Sequence, residues 1–342
     1  MSQGIPHAAR SLPIAYAGLG IGLALFTALV AYQGVREVTR TLASAGTGLL
    51  WVTAFHLAPI LASALGWHAV LAPRTSTPLR AFAWARWISE SINQLLPTFQ
   101  LGGNLVRAQL VARRGLPGPL AGASVVVDIT LHLFAQMLFT VLGLCLLLTR
   151  VGSHRFDGAL IAGLAVTATM VGAFYVTQRR GMFGALASLL ERGLSSSNWS
   201  ALSSGGHAMD TWVRLLYQNP RAVGLSALWH FLSWLLGAGE VWFVLRLLGH
   251  PVDLTTAVVI ESVGEAIRTA AFAIPGALGI QEGGLMLVGG QFGLAPEVSV
   301  ALSLAKRVRE LSLGVPGLIA WQVHRSSAAL KPRPDRPHGQ AG

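Results

Sequence analysis

Charge is what this chain has least of. Asp, Glu, Lys and Arg together make up 11% of its 342 residues, against 53% hydrophobic. A water-soluble domain carries about 25% charged residues, so there is too little polar material here to coat a water-facing surface. An ordinary soluble enzyme is excluded. Cysteine is scarcer still. Cys145 stands alone in the run LGLCLLL and supports neither an internal disulfide nor a cysteine metal cluster. No phosphate loop of the GxxxxGK[ST] type occurs, so no nucleotide-driven motor and no cofactor is expected. The net charge of +11 does not point to nucleic acid, because the basic residues lie between long apolar runs and form no single patch. Lys and Arg in such positions orient a membrane protein.

What the chain has is apolar length. Stretches 12–32, 48–72, 119–149, 158–178, 221–249 and 297–323 are long enough to cross about 30 Å of hydrocarbon. The first follows Arg10 and exceeds the apolar region of a signal peptide, so a retained helix is expected after a cytoplasmic N-terminus at 1–11. Most of the tryptophans, Trp51, Trp67, Trp84 and Trp87 among them, fall near expected membrane interfaces, as anchors do. Two further stretches, 82–112 and 254–295, are interrupted midway by LLPTFQLGGN and IPGALGIQEGG. Proline removes a backbone donor and glycine frees φ, so neither continues as one straight helix. Irregular backbone at membrane depth is tolerated only against protein or a wet cavity. Each segment reads as a re-entrant hairpin with Pro97, Gly102 and Gly103, or Pro275, Gly276 and Gly279, as hinge. A pair of kinked full spans is the alternative.

Charge distribution favours the hairpins. With the N-terminus cytoplasmic and both segments re-entrant, most basic residues fall inside, and only Arg36, Arg40, Arg150, Arg155 and Arg246 fall outside. That distribution satisfies the positive-inside rule. It divides the chain into a first membrane half (12–178), a cytoplasmic linker (179–220), a second membrane half (221–325) and a Pro-rich, disordered tail (326–342). It also gives the two halves opposite orientations. One constant offset along the chain aligns Trp51 with Trp229, Pro97 with Pro275, Gly115-Leu116 with Gly293-Leu294, Asn104 with Glu282 and Asp128 with Lys306. Inverted repeats around broken helices are a transporter architecture. The expected fold is therefore all-α, with about six spans and two re-entrant hairpins.

The few charges sit where they are costly. Helix 119–149 carries Ser124, Asp128, His132, Gln136 and Thr140 four apart, hence near one face. Helix 297–323 holds Ser303, Lys306, Arg307, Arg309 and Glu310 inside its apolar run, and helix 221–249 holds His230, Ser233 and Glu240. The first arms of the hairpins carry Arg86, Glu90 and Asn93, and Glu261, Glu265 and Arg268. For Arg86 with Glu90, and Glu265 with Arg268, the plain reading is an ion pair within each arm. Charge at the bilayer centre costs about 2.5–3.5 kcal/mol on insertion scales and by default marks function. Arg107, Arg268, Lys306, Arg307 and Arg309 are candidate contacts for an anionic head group, since guanidinium suits phosphate bidentately. The alternative is pairing with Asp128 and Glu310 across the repeat interface. Glu90, Asn104, Asp128, His132, Glu240, Glu261, Glu265, Glu282 and Glu310 are the candidate coupling or polar-core groups. Asp128 and His132 lie one turn apart, but no further ligand on their helix supports a metal.

The segments LLPTFQLGGNLVRAQLVARRG, ASVVVDI and IPGALGIQEGG resemble the paired signatures of the lysylphosphatidylglycerol synthase transmembrane region, a flippase-like family. The similarity runs over most of 12–325, with Gly102, Gly103, Arg107, Asp128, Pro275, Gly279 and Glu282 at motif positions. Asn104 departs from the acidic residue expected there. In larger members this region is taken to move a modified phospholipid between leaflets, and a separate soluble domain makes the aminoacyl lipid. Among stand-alone members the chain is most similar to the hopanoid-biosynthesis-associated subgroup. The resemblance implies a translocase in a bacterial cytoplasmic membrane, handling an anionic, polyisoprenoid or hopanoid-type lipid. Lipid-synthesis enzymes are the implied partners. A membrane enzyme acting on a lipid head group and a scaffold for lipid synthesis are the rivals from other classes.

Overall fold

Without water, a backbone in hydrocarbon satisfies its N–H and C=O groups only internally, which leaves helices as the fold of such runs. The computed structural model describes residues 40, 43–96, 98, 100–151, 157–185, 199–270 and 279–329, and every regular element among them is helical. In chain order these are α1 (Gly48–Phe55), α2 (Leu57–Leu71), α3 (Leu79–Leu95), α4 (Leu101–Ala112), α5 (Gly118–Val151), α6 (Asp157–Arg179), α7 (Trp199–Tyr217), α8 (Pro220–Leu247), α9 (Leu254–Ala270), α10 (Ile280–Gly290) and α11 (Pro296–Ala329). Among the described residues, three helical stretches are long and apolar enough to cross a membrane: Gly48–Arg74, Gly118–Arg150 and Pro220–Leu247. Helix α11 has the length, but Lys306, Arg307, Arg309 and Glu310 interrupt its apolar run. The expected span 12–32 and the end of the tail lie outside the described residues.

The break between α1 and α2 falls at His56 for a local reason. Pro59 has no N–H to give the carbonyl of Phe55, and its ring crowds that carbonyl. The released stretch turns the His56 side chain toward α3, α8 and α11.

Both interrupted segments fold back on themselves. In the first, a Cβ on Gly103 would run into the Ser89 carbonyl oxygen, so only glycine lets α4 lie against α3. Asn93 holds the same contact by accepting from Gly103 N at 2.9 Å. Gly102 and Gly103 thus belong to the first turn of α4. The left-handed residue at the break is Gln100, at φ 63°. In the second segment Gly284 packs on Ile267 and Gly264 on Leu285, an antiparallel pairing of α9 with α10. Gly279, at φ 78°, opens α10. Pro97, Pro275 and Gly276 lie outside the described residues. At 1.5 Å per residue α4 and α10 are only ~18 and ~16 Å long, short of a bilayer's ~30 Å.

The offset between the two halves recurs in the helix boundaries. Helices α5 and α11 are both 34 residues long and begin at Gly118 and Pro296. Ala112 and Gly290 end α4 and α10. Gly115 and Gly293 both take positive φ in the turn that follows. The apolar side chains gather in two cores, each drawing on both sides of the 179–220 segment. One gathers Trp67, Phe82, Ile88, Val111, Val127 and Leu216, and the other Val52, Val244, Ile260, Leu285 and Leu302. Leu50, Trp51, Leu61, Leu228, Leu287 and Ile319 point outward, as lipid-facing residues do. Between the halves, α7 buries Val213 and Leu216, and Asp210 pins the turn after α6 by accepting from the Phe183 and Gly184 amides. At the start of α9, Asp253 caps the helix through Thr256 N and pairs with Arg150 at 3.0 Å. The hydrogen bonds from Thr256 hold its carboxyl below the ordinary range.

Helices α5 and α9 touch where Gly143 faces Ser262, and a Cβ on Gly143 would overlap Ser262 Oγ. Gly143→Ala is therefore expected to lower thermal stability, since overpacking costs about 1–3 kcal/mol. That exceeds the gain of up to about 1 kcal/mol from the better helix former. Gly172 on α6 has nothing within 4 Å, so Gly172→Ala should leave the melting temperature unchanged or raise it. Melting curves in detergent check the pair of variants. Equal melting temperatures would place the helix contact elsewhere.

Candidate functional site

Between the two apolar cores lies a polar layer around a cavity of about 370 Å³. Helices α2, α3, α4, α5, α8, α9 and α11 all contribute to its wall. That volume falls within the ~300–1,000 Å³ usual for small-molecule sites.

On the side of the first hairpin the layer centres on Asp128, which is fully buried. Its Oδ2 accepts from Arg107 Nη1 at 2.5 Å and from Arg86 Nη1 at 3.5 Å, and its Oδ1 accepts from His230 Nε2 at 2.8 Å. His230 Nδ1 lies 3.3 Å from both Ser63 Oγ and His132 Nδ1. Arg107 is held further by Asn104 Oδ1 at 2.9 Å and by the Trp67 ring, 4.8 Å below its guanidinium. Trp67 belongs to the tryptophans expected near the interfaces, yet it is fully buried and donates to Ser124 Oγ. Asn104 also donates to the carbonyl of Gln100, and so ties the chain reversal to the ion pair. Gln136, further along the α5 ladder, donates to Thr269 Oγ1 on α9 at 2.6 Å.

The second hairpin repeats the device with a carboxylate. Glu282 sits at the position equivalent to Asn104 and is fully buried. Its Oε2 accepts from Gly279 N at 2.6 Å, closing the first turn of α10. Its Oε1 accepts from Ser303 Oγ at 2.6 Å and Arg307 Nη2 at 3.3 Å. Lys306 pairs with Glu261 at 2.6 Å and lies 3.7 Å from Glu265. Arg268 pairs with Glu310 at 3.1 Å and Glu265 at 3.7 Å. Arg307 reaches Glu310 at 3.1 Å and Arg309 reaches Glu240 at 3.1 Å.

Of the two carboxylates expected as alternative partners for the cations of α11, Glu310 does pair with Arg307 at 3.1 Å and lies 3.4 Å from Arg309, and Asp128 does not. Asp128 serves Arg107, Arg86 and His230, whereas Lys306 and Arg309 draw on Glu261 and Glu240 from α9 and α8. Arg86 does not pair with Glu90 one turn away. Glu90 instead faces His56 Nε2 at 3.0 Å and accepts from Gln94. All the candidate head-group contacts except Arg307 line the cavity, together with Glu90, Asn104, His132, Glu261 and Glu265. Asp128, Glu240, Glu282 and Glu310 stand behind that lining as partners of its cations or of Arg307.

Three residues of the cavity wall escape a sequence-based choice of site: His56, Arg86 as a contact in its own right, and Trp234. His56 lies in an apolar run with no charged neighbour, so only its proximity to Pro59 marks it. Among the cations on the wall Arg86 is the least engaged, with Asp128 at 3.5 Å and 17% of its side chain exposed. Trp234 stacks near His132 and Phe139, and its buried Nε1 has no partner among the described residues. No group of three His, Cys, Asp or Glu among the described residues is arranged to hold a metal.

Pairing of this kind makes a stability prediction. Lys306→Met leaves Glu261 buried without its 2.6 Å partner, and breaking a buried pair typically costs about 3–5 kcal/mol. The single variant should melt well below the parent. Adding Glu261→Met should recover most of the loss, because two apolar groups replace the pair. A single variant that melts with the parent would mean that water reaches the pair freely.

No curated protein and no solved structure gives a significant match to the chain. A family model does: that of the lysylphosphatidylglycerol synthase TM region, over residues 17–317. The match takes in both folded-back segments, the polar layer and the apolar helices around them, and the chain is an all-helical integral membrane protein of the lysylphosphatidylglycerol synthase transmembrane-region family.

Proposed function

We propose that this protein is a lipid translocase that passes an anionic head group between leaflets through the cavity, while the acyl or isoprenoid chains stay in the bilayer. The observation that carries this reading is the cavity itself. A polar hollow of head-group size, walled by Arg86, Arg107, Arg268, Lys306 and Arg309, lies inside a bundle whose outer face is leucine and isoleucine. Family membership supports the coarser statement that the protein handles or helps to make membrane lipids. Helix boundaries that match at one constant offset, and hairpin arms too short to cross, support two inverted halves with re-entrant segments. Rocking of one half against the other would open the cavity to each leaflet in turn. A bacterial cytoplasmic membrane, a hopanoid-type cargo and lipid-synthesis enzymes as partners belong to the same reading.

Arg86 is the wall cation most free to engage a phosphate. Arg86→Gln is expected to slow movement of fluorescent-tail phosphatidylglycerol across proteoliposomes at least tenfold, read by dithionite quenching. Its melting temperature should stay near the parent's. A role in head-group chemistry instead would yield a new lipid species from purified protein, and a scaffold would be indifferent to Arg86→Gln. Normal movement by the variant contradicts the proposal.

A further inference from the structure

His56 stands at a place in the polar layer where three charged groups compete for one imidazole ring. Its Nδ1 lies 2.6 Å from Glu240 Oε2 and 2.5 Å from Arg309 Nη1. Its Nε2 lies 3.0 Å from Glu90 Oε1. A ring nitrogen either carries a proton or presents a lone pair. Nδ1 therefore cannot donate to Glu240 and accept from Arg309 at the same time. With a neutral ring, Nε2–H donates to Glu90, Nδ1 accepts from Arg309, and Arg309 holds Glu240. With a charged ring, Nδ1–H takes over Glu240 Oε2 and Nε2–H keeps Glu90, so the guanidinium loses both its acceptor at Nδ1 and its hydrogen bond to that oxygen.

We infer that His56 is a proton-binding site whose occupancy decides whether Arg309 is tied to Glu240 or released to an anion in the cavity. The proton arrives from water at Nδ1, no other bond is made or broken, and the charge it brings offsets that of the anion. Arg309 is suited to the second state. It lines the cavity and is 4% exposed, and its Nε has no hydrogen-bond partner among the described residues. The surroundings of the ring are contributed from several elements. Helix α3 presents Glu90 and Arg86, α8 presents Glu240, and α11 presents Arg309 with Lys306 and Glu310 behind it. Across the cavity α9 presents Glu261, Glu265 and Arg268. Because α3 and α11 come from different halves, the exchange of partners takes place across the junction that rocking must open. The proton site stands on geometry alone, whereas its role in coupling rests on the translocase reading.

The test has a substrate-free arm and a transport arm. Full-length protein with ¹⁵N-labelled histidine and arginine, in liposomes without phosphatidylglycerol, is followed by solid-state NMR between pH 5 and 9. His56 resonances are assigned by their loss in His56→Gln or, should that variant not fold, by their shift in Glu90→Gln. The expected result is a switch of His56 from imidazolium to neutral within that range, accompanied by movement of the Arg309 side-chain signal. A ring that keeps one charge state throughout, or an Arg309 signal that does not follow it, overturns the inference. In the transport arm, movement of fluorescent-tail phosphatidylglycerol should fall as pH rises through the His56 transition, and that pH dependence should vanish in His56→Gln. A dependence of equal midpoint in the variant also overturns the coupling. Absence of movement at any pH, with His56 titrating as expected, supports the proton site and sinks the translocase reading instead.

Discussion

Asp128 has no water to turn to, and the molecule is organised around that fact. Its carboxylate draws Arg107 from the first hairpin and His230 from the opposite half, with Arg86 only at the edge of contact at 3.5 Å. Each contact pulls a helix toward the same point. Isolated, any of these charges would be expelled from hydrocarbon or neutralised. Together they fix which helices meet and how deep the hairpin sits. The same requirement gathers Glu261, Glu240 and Glu310 around Lys306, Arg309 and Arg268. Two apolar cores are thus joined by a layer of ion pairs.

A junction of that kind suits movement. Apolar cores are close-packed and tolerate little sliding. Charges that share partners can exchange one for another with small displacements. His56, Glu90, Glu240 and Arg309 form such a sharing set, with His56, Glu90 and Arg309 on the cavity wall and Glu240 behind it. The parts of the layer that close the hairpin turns behave differently. Asn104 and Glu282 bind the chain reversals at Gln100 and Gly279, where a loosened contact would unfold the turn. This difference separates groups able to serve a substrate from groups that hold the fold.

Much of this was legible in the chain. Apolar length marked the helices, and the Pro-Gly breaks marked where α3 turns into α4. Steps of four on α5 marked Asp128, His132 and Gln136 as one inward stripe. The offset that aligns Trp51 with Trp229 anticipated helix ends that coincide at Ala112 and Gly290. Pairing was legible only in part, for Glu265 with Arg268 and for Glu310 with its neighbours. Lys306, Arg307 and Arg309 have only Glu310 close by on their own helix, and the other carboxylates that answer them come from 261, 240 and 282, distant in the chain. The part played by Gly103 was also hidden. A glycine after a break reads as a hinge, whereas here it permits the approach of two helix backbones at Ser89. His56 was invisible because its importance comes wholly from what three other helices bring to it.

The central claim is that the cavity between the halves holds a lipid head group. An experimental structure of the protein in nanodiscs containing phosphatidylglycerol tests it most directly. The account predicts phosphate density inside the layer, within hydrogen-bond reach of Arg86 or Arg309, with chains leaving toward the bilayer between the helices. A cavity holding only water, with every ordered lipid head group at the membrane surface, would contradict it.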